Sequence, residues 1–580
     1  MFSKYYQDEL AFLRDMGRAF SEAHPEAAPF LAGTGGDPDV ERLMEGFAFL
    51  TARVREKLDD ALPEIIHALL EVFFPHYLRP LPAMTIASFD ACQGGEGWTI
   101  PRHTRLESVP VDGVSCAFRT AYPVRLHPLR LTGCQTVQGA SPAIRCTFEI
   151  NPGVNVQKLD LRSLRLHFGG EVGVARALYL GFTRYLSRVY ARPASKWAQD
   201  KTIEMPRARA VPVGLDDDQA LLPYPNVAFP GYRLLQEYFA FPAKFMFVDI
   251  VGLDAVASLG DTAAFDLVFE FSRLPEDMPP VSAKDLLLYC TPAVNLFPHE
   301  ADPIRVDRER TEYLVSPSGK SRDHLEIFSV DHVSGVSHST GRRHEFRPLY
   351  TASPMGEKNQ HFFRLRTRPA ILSEGADVTL SIVDAQARES LPDVETLSIE
   401  LTCTNRQMPK NLGIGDLRPR RGAEPKFGTY RNISRPTPSV PPPLEGDLYW
   451  RLVSHLALNF STLAEARTLK SLLWLYHFRA RVDRQAERAF QLLLDGIRNV
   501  SATPATHMLE GVPVRGMDVN LELDEDGFGG EGNLVLFGAI FDEFLSQYMT
   551  LNSFSQLTLR GTRYGGVFSW PPRIGRRILL

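Results

Sequence analysis

The apolar pattern first changes period at a cluster of prolines, and that change limits what the chain can build. Before Pro75, Pro80 and Pro82 the apolar residues recur at helical spacing. Tyr6, Leu10, Leu13, Gly17 and Phe20 are spaced four, three, four and three residues apart. Val40, Leu43, Phe47, Leu50 and Val54 are spaced three, four, three and four. Each set forms one narrow stripe on a helix, the kind of seam found in coiled coils. Asp37-Pro38 is a start signal: Asp37 can accept from orphan N–H groups, and Pro38 fits a first turn. The prolines of "FFPHYLRPLP" then end helical structure, because each lacks an N–H and clashes with the turn before it. A narrow stripe does not name its partner. The two seams can pair with each other or with another subunit.

Beyond Pro82 the period is two. "LDLRSLRLHF" alternates in two short runs, as do Phe265, Leu267, Phe269 and Phe271, and again Leu397, Ile399 and Leu401. Residues 416–445 read as a proline- and arginine-rich linker or loop, with "RPTPSVPPP" extended. Between Arg418 and Arg435 six basic residues (Arg418, Arg420, Arg421, Lys426, Arg431, Arg435) face one acid, Glu424. From 446 helical patterns return, and the chain closes on strand–helix–strand: "VNLELD", "NLVLFGAIFDEFLSQYM", "SQLTLRG". The expected fold is α+β and multidomain. An N-terminal helical bundle segment spans 1–80, β-rich domains span 81–250 and 251–415, and a mixed α/β domain spans 446–580.

A length of 580 residues exceeds one ordinary core, and a net charge of −5 argues against a general polyanion binder. No apolar run is long enough to span a bilayer, so no membrane insertion is expected. The first residues carry acids and bases where a signal peptide needs an apolar region, which points to the cytosol. The cysteines at 92, 116, 134, 146, 290 and 403 form no C-x-x-C pair, so neither a disulfide framework nor a metal site is expected.

Gly527, Gly529 and Gly532 form G-x-G-x-x-G between a strand pattern and a helix pattern, the order of a dinucleotide-binding loop. The strand argues against one: Val519, Leu521 and Leu523 alternate with Asn520, Glu522 and Asp524, whereas the first strand of such a fold is apolar on both faces. No Lys or Arg lies between Arg515 and Arg560, and Asp524, Glu525, Asp526 and Glu531 would repel a pyrophosphate. The expected role is a solvated acidic turn, or a contact for a basic partner such as a neighbour's 418–435 loop. Other partial motifs fail on residue type. A calcium loop starting at Asp524 lacks ligands at Phe528 and Val535. Gly319-Lys320-Ser321 lacks the first glycine of a P-loop, at Leu314. "HEFRP" places Pro348 where a zinc protease needs its second histidine. His24, His67 and His76 have no paired spacing and read as packed or surface side chains. The basic stretch has only Phe427 and Tyr430 as aromatics, too few for a nucleic-acid platform. No catalytic residue, cofactor or metal is expected.

Longer runs carry a resemblance. "YYQDELAFLRDMGRAFSEAHPEAAPFL", "DPDVERLMEGFAFLTARVREKLDDALPEI" and "FFPHYLRPLPAM" resemble the N-terminal pattern of the TssF family, also called ImpG or VasA. The likeness continues in "FPGYRLLQEYFAFPAKFMFVDI", "CTPAVNLFPHEADPIRVD", "LTCTNRQMP", "WRLVSHLALNFSTL", "NSFSQLTLRG" and "SWPPRIGRRILL", in order along essentially the whole chain. It implies a non-enzymatic structural subunit of the type VI secretion baseplate wedge. Such a subunit assembles with TssG, TssK and a second copy of itself. With TssE it surrounds the VgrG hub, nucleates the Hcp tube and contractile sheath, and meets the membrane complex from the cytoplasmic side of the inner membrane. Tyr6, Leu10, Leu13, Phe20, Val40, Leu43, Phe47, Leu50 and Val54 are then the expected partner interface. A wedge subunit of a phage-like contractile particle, and a nucleotide-binding enzyme using the 527–532 loop, are the alternatives.

Overall fold

The computed structural model describes most of residues 70–575, the helix at 38–59 and a few positions between 6 and 16. The larger stretches outside the description are 17–37, 60–69, 195–201, 352–360, 385–395, 420–427, 445–464 and 576–580. The chain divides into two compact units, Met1–Glu71 and Val72–Leu580.

In the first unit, residues 6, 7, 10–14 and 16 are helical. Helix α1 spans Pro38–Asp59, starting at the proline that the sequence marks as a first-turn residue. A bundle between these helices is not established, because 17–37 lie outside the described residues.

The second unit is built on several sheets. The first runs in the order Tyr430–Asn432, Met84–Phe89, Cys290–Val294, Val114–Thr120, Arg105–Val111. Its members come from distant parts of the chain, so the expected boundaries at 250 and 415 run through one sheet. Cys290–Val294 is buried at every position, as suits a central strand. A second sheet has the order Ile203–Glu204, Leu186–Pro193, Ala264–Phe271, Ala143–Ile150, Leu129–Val137. Phe265, Leu267, Phe269 and Phe271 are fully buried there, and Asp266 and Val268 on the other face are nearly so. A third sheet pairs Arg209–Pro212, Phe247–Val251, Ser163–Phe168 and Leu286–Leu287. A larger mixed sheet places Thr396–Thr404 between Phe297–Glu300 and Glu326–Val336. Leu397, Ile399, Leu401 and Cys403 form its core with Val333, Phe346, Phe363 and Leu380. "HEFRP" is part of the strand Arg343–Pro348 in this sheet.

The described part of 416–445 is not a spacer. Tyr430–Asn432 pairs with Ala87–Phe89, Leu81 bridges Val440, and Ser108 bridges Leu417. Proline favours extended backbone in a linker and in an edge strand alike, so composition did not separate the two.

Among the described residues the longer helices of this unit are α2 (Val172–Leu180), α3 (Pro230–Ala240), α4 (Ala466–Tyr476), α5 (Arg484–Gly496) and α6 (Glu531–Gln547). The run at 450–463 lies outside the described residues. Strand Val512–Leu523, helix α6 and strand Ser553–Gly561 form a βαβ unit, its strands parallel from Arg515↔Ser553 to Leu523↔Gly561. α6 is buried almost all round, because it packs on that sheet, on α2 and on α3.

Candidate partner interface

Helix α1 buries its small face. Ala48 and Ala52 are fully buried, while Leu43, Phe47 and Leu50 are 73%, 61% and 63% exposed on the opposite face. Burying alanine while leaving leucine and phenylalanine in water reverses the usual order. Among the described residues this face of the stripe is left open. Val40 and Val54 belong to the same helix, but their side chains lie outside the described residues. On the earlier helix Tyr6, Leu10 and Leu13 are half-buried, and Phe20 lies outside the described residues. The structure thus brings Leu43, Phe47 and Leu50 onto one exposed face.

The glycine motif does sit on a strand–turn–helix, as its order along the chain suggests. Two of its glycines, however, serve close packing, and the third, Gly529, takes a left-handed φ of +71°. A Cβ on Gly532 would meet the Arg176 backbone oxygen at 2.5 Å, and one on Gly527 would meet the Leu492 oxygen at 2.8 Å. Glu525–Phe528 form one helical turn before α6, capped by the Asp524 side chain and ended by Gly529 in the left-handed region. Its acids are engaged within the chain. Buried Glu525 accepts from the Arg563 and Tyr564 N–H groups at 2.9 and 3.0 Å. Asp524 pairs with Arg498 at 2.6 Å, Asp526 with Arg563, and Glu531 with Arg273 at 3.8 Å. Asp518 accepts from His507 at 3.0 Å. The expected solvated turn holds for Asp526, which is half exposed, but not for Glu525, which is buried; only a fold that returns Arg498 and 563–564 to this turn could supply those partners.

The longer sequence runs meet in buried polar contacts that residue type alone did not reveal. "FPGYRLLQEYFAFPAKF" becomes α3 and the turn after it, where Glu237 and Lys244 form an ion pair, 0% and 1% exposed. Glu237 Oε1 also accepts from the Leu221 and Leu222 N–H groups at 2.9 and 2.8 Å. Asn295 and Asn405, from "CTPAVN" and "LTCTN", bond reciprocally: Asn295 Nδ2 donates to Asn405 Oδ1 at 2.8 Å, and the Asn405 N–H donates to Asn295 Oδ1 at 2.7 Å. Arg573, from "SWPPRIG", reaches Asp542 and Glu543 on α6 at 2.5 Å each. Burial raises the Asp542 carboxyl to about 6 against the pull of Arg573. His76 is packed, its ring stacked on Tyr224 at 4.9 Å, and burial lowers its pKa well below the usual histidine value. His24, His67, Lys320 and Ser321 lie outside the described residues.

Among the described residues no group of three or more His, Cys, Asp and Glu could hold a metal, and no helix is long and apolar enough to cross a membrane. An open cleft of about 520 Å³ is lined by Asp90, Arg130, Tyr289 and Arg431 among others. It brings no nucleophile next to a base.

Exposed apolar patches are a common feature of protein–protein interaction sites. Comparison with known proteins gives the assembly. The model of the type VI secretion system TssF family matches residues 1–577. The type VI secretion component TssF1 of Pseudomonas aeruginosa is 34% identical over 624 aligned positions, covering 99% of this chain and 98% of the relative. A chain in the cryo-electron-microscopy structure of a type VI TssK-TssF-TssG baseplate subcomplex is 30% identical with a TM-score of 0.76, covering 93% of this chain and 99% of that one. A chain of a type VI baseplate complex is 26% identical with a TM-score of 0.62 over the full length of both. The chain belongs to the TssF family.

Proposed function

We propose that this chain is a non-enzymatic structural subunit of a type VI secretion baseplate wedge. It joins TssG and TssK, and its stripe at Leu43, Phe47 and Leu50 completes a helical bundle with TssG and a second copy of the chain. Tyr6, Leu10, Leu13, Phe20, Val40 and Val54 extend that interface. The wedge meets TssE, the VgrG hub and the membrane complex, and so lies on the cytoplasmic side of the inner membrane. The observation that carries the reading is the exposed stripe on α1, opposite two buried alanines. The relative seen within a TssK-TssF-TssG subcomplex supports the partners.

The test is co-purification of TssG and TssK with Leu43→Ser, Phe47→Ser and Leu50→Ser combined. Full burial of such a side chain contributes about 1.5–3 kcal/mol. With roughly two-thirds of each still open, the three together amount to about 3–6 kcal/mol, or roughly 10²- to 10⁴-fold in affinity. Surface changes of this kind shift stability by only about 0.5 kcal/mol, so the variant should melt with the wild type. Undiminished TssG binding would remove the bundle assignment, and failure of the wild type to bind either protein would remove the baseplate reading.

A further inference from the structure

Two cysteines that the sequence separates are neighbours in space. Cys134 lies in Leu129–Val137, the edge strand of the second sheet, and Cys146 lies in the adjacent Ala143–Ile150. The antiparallel register sets them directly opposite each other, just past a bulge at Leu131/Gly133. Their sulfurs are 3.3 Å apart. Cys146 is 1% exposed, while Cys134 is half-buried and open to solvent from the edge. From the juxtaposition of these two thiols across one strand pair we propose an oxidisable site: a hydroperoxide reacts at Cys134, and Cys146 resolves the product into a cross-strand disulfide.

The chemistry closes on these atoms. The Cys134 thiolate attacks an oxygen of hydrogen peroxide, the O–O bond breaks, Cys134 becomes a sulfenic acid, and the leaving hydroxide takes a proton as water. Cys146 Sγ then attacks Cys134 Sγ. The S–S bond forms, the S–O bond breaks, and the departing hydroxide takes the Cys146 proton as a second water. Two thiols lose two electrons and one peroxide gains them. The roles follow from access, since oxidation follows exposure and thiolate character. The hydrogen bond with Cys134, and then burial, hold the Cys146 pKa well above the usual thiol value, which disfavours Cys146 as the first site of attack.

The bond closes against the sheet. Opposed residues in an antiparallel pair hold their Cβ atoms about 4.5–5.5 Å apart, whereas a disulfide wants about 3.5–4.5 Å. Strained, accessible disulfides are the readily reduced ones, so this site behaves as a reversible clasp on an edge strand rather than a permanent staple. While closed, it ties the outermost strand to its neighbour at the point where the bulge interrupts their pairing.

The test uses the full-length chain, reduced, then treated with hydrogen peroxide under native conditions. Remaining thiols are alkylated after denaturation. Trypsin cuts after Arg130 and Arg145, so the two cysteines fall on separate peptides, beginning at Leu131 and Cys146. The expected result is a loss of two alkylatable thiols from the six, a cross-linked pair of those two peptides, and full recovery with dithiothreitol. Cys146→Ser should leave a sulfenic acid on Cys134 that dimedone traps, and Cys134→Ser should lose no thiol at the same dose. If all six thiols persist, or if Cys134 oxidises past the sulfenic stage without cross-linking in the wild type, the proposal fails. A link to any other cysteine overturns it too.

Discussion

Replacing Lys244 with methionine isolates the buried Glu237–Lys244 ion pair. Glu237 is carried on α3 and Lys244 on the turn that follows, and water reaches neither side chain. Burial pulls the Lys244 pKa down, while the Glu237 charge pulls it back up. Lys244→Met keeps the length of the side chain and its contact with the Phe245 ring, which the ammonium now overlies at 4.7 Å. It leaves a carboxylate at 0% exposure whose hydrogen-bond donors among the described residues are the Leu221 and Leu222 N–H groups. Breaking one side of a buried pair costs about 3–5 kcal/mol. Adding Glu237→Gln removes the orphan charge but keeps an amide oxygen for the same two donors. The double variant should therefore recover most of the loss and sit within about 1–2 kcal/mol of the wild type. A body with several sheets need not unfold in one step, so the assay is local. Deuterium exchange at the Leu221 and Leu222 amides, together with melting at one fixed scan rate, should rank wild type first, the double variant next and Lys244→Met last. Lys244→Met melting with the wild type, or a double variant worse than the single, would refute the argument.

Three further outcomes are expected. Glu326 is 5% exposed, and burial raises its carboxyl to about 7 despite Arg406 nearby. A raised folded pKa means the folded state holds the proton more tightly. Its contribution to stability is therefore complete at low pH and is lost as pH rises from the ordinary carboxyl value to about 7. Glu326→Gln should remove that slope and gain roughly 3 kcal/mol at about pH 8; melting curves with the same slope in both proteins would contradict it. Gly532→Ala should destabilise by about 1–3 kcal/mol, because its Cβ meets Arg176 backbone. Gly529→Asn should cost under about 1 kcal/mol, since its φ of +71° suits asparagine and its nearest neighbours are 3.7 Å away. Measurable nucleotide binding lost in both variants would instead favour a cofactor loop.

Much of the fold was legible where a local period met a one-sided environment. In Thr396–Thr404 the apolar members Leu397, Ile399 and Leu401 are buried and the residues between them are exposed at the outer end. The closing strand–helix–strand was legible for the same reason, although burial of α6 on nearly every side was not. In the candidate interface the stripe at Leu43, Phe47 and Leu50 could be read from its spacing, but its exposure could not, because spacing is the same for a face that packs at home and one that packs abroad. The polar anchors Glu237, Lys244, Asn295, Asn405 and Arg573 were missed as structural partners, since residue type does not encode burial.

The sequence by itself determined the change of period at Pro75–Pro82, the start of α1 at Pro38, the strand and helix faces that follow, and the family. These rest on local sterics, on the 3.6 and 2.0 periods of helix and strand, and on long runs shared with relatives. Only the tertiary structure decided which distant segments pair. Tyr430–Asn432 closes beside Met84–Phe89, Cys134 faces Cys146, and Arg498 and Arg563 neutralise the acids of the glycine turn. The physical reason is that register, bulges and charge pairing are settled between elements, where sequence distance carries no information about distance in space.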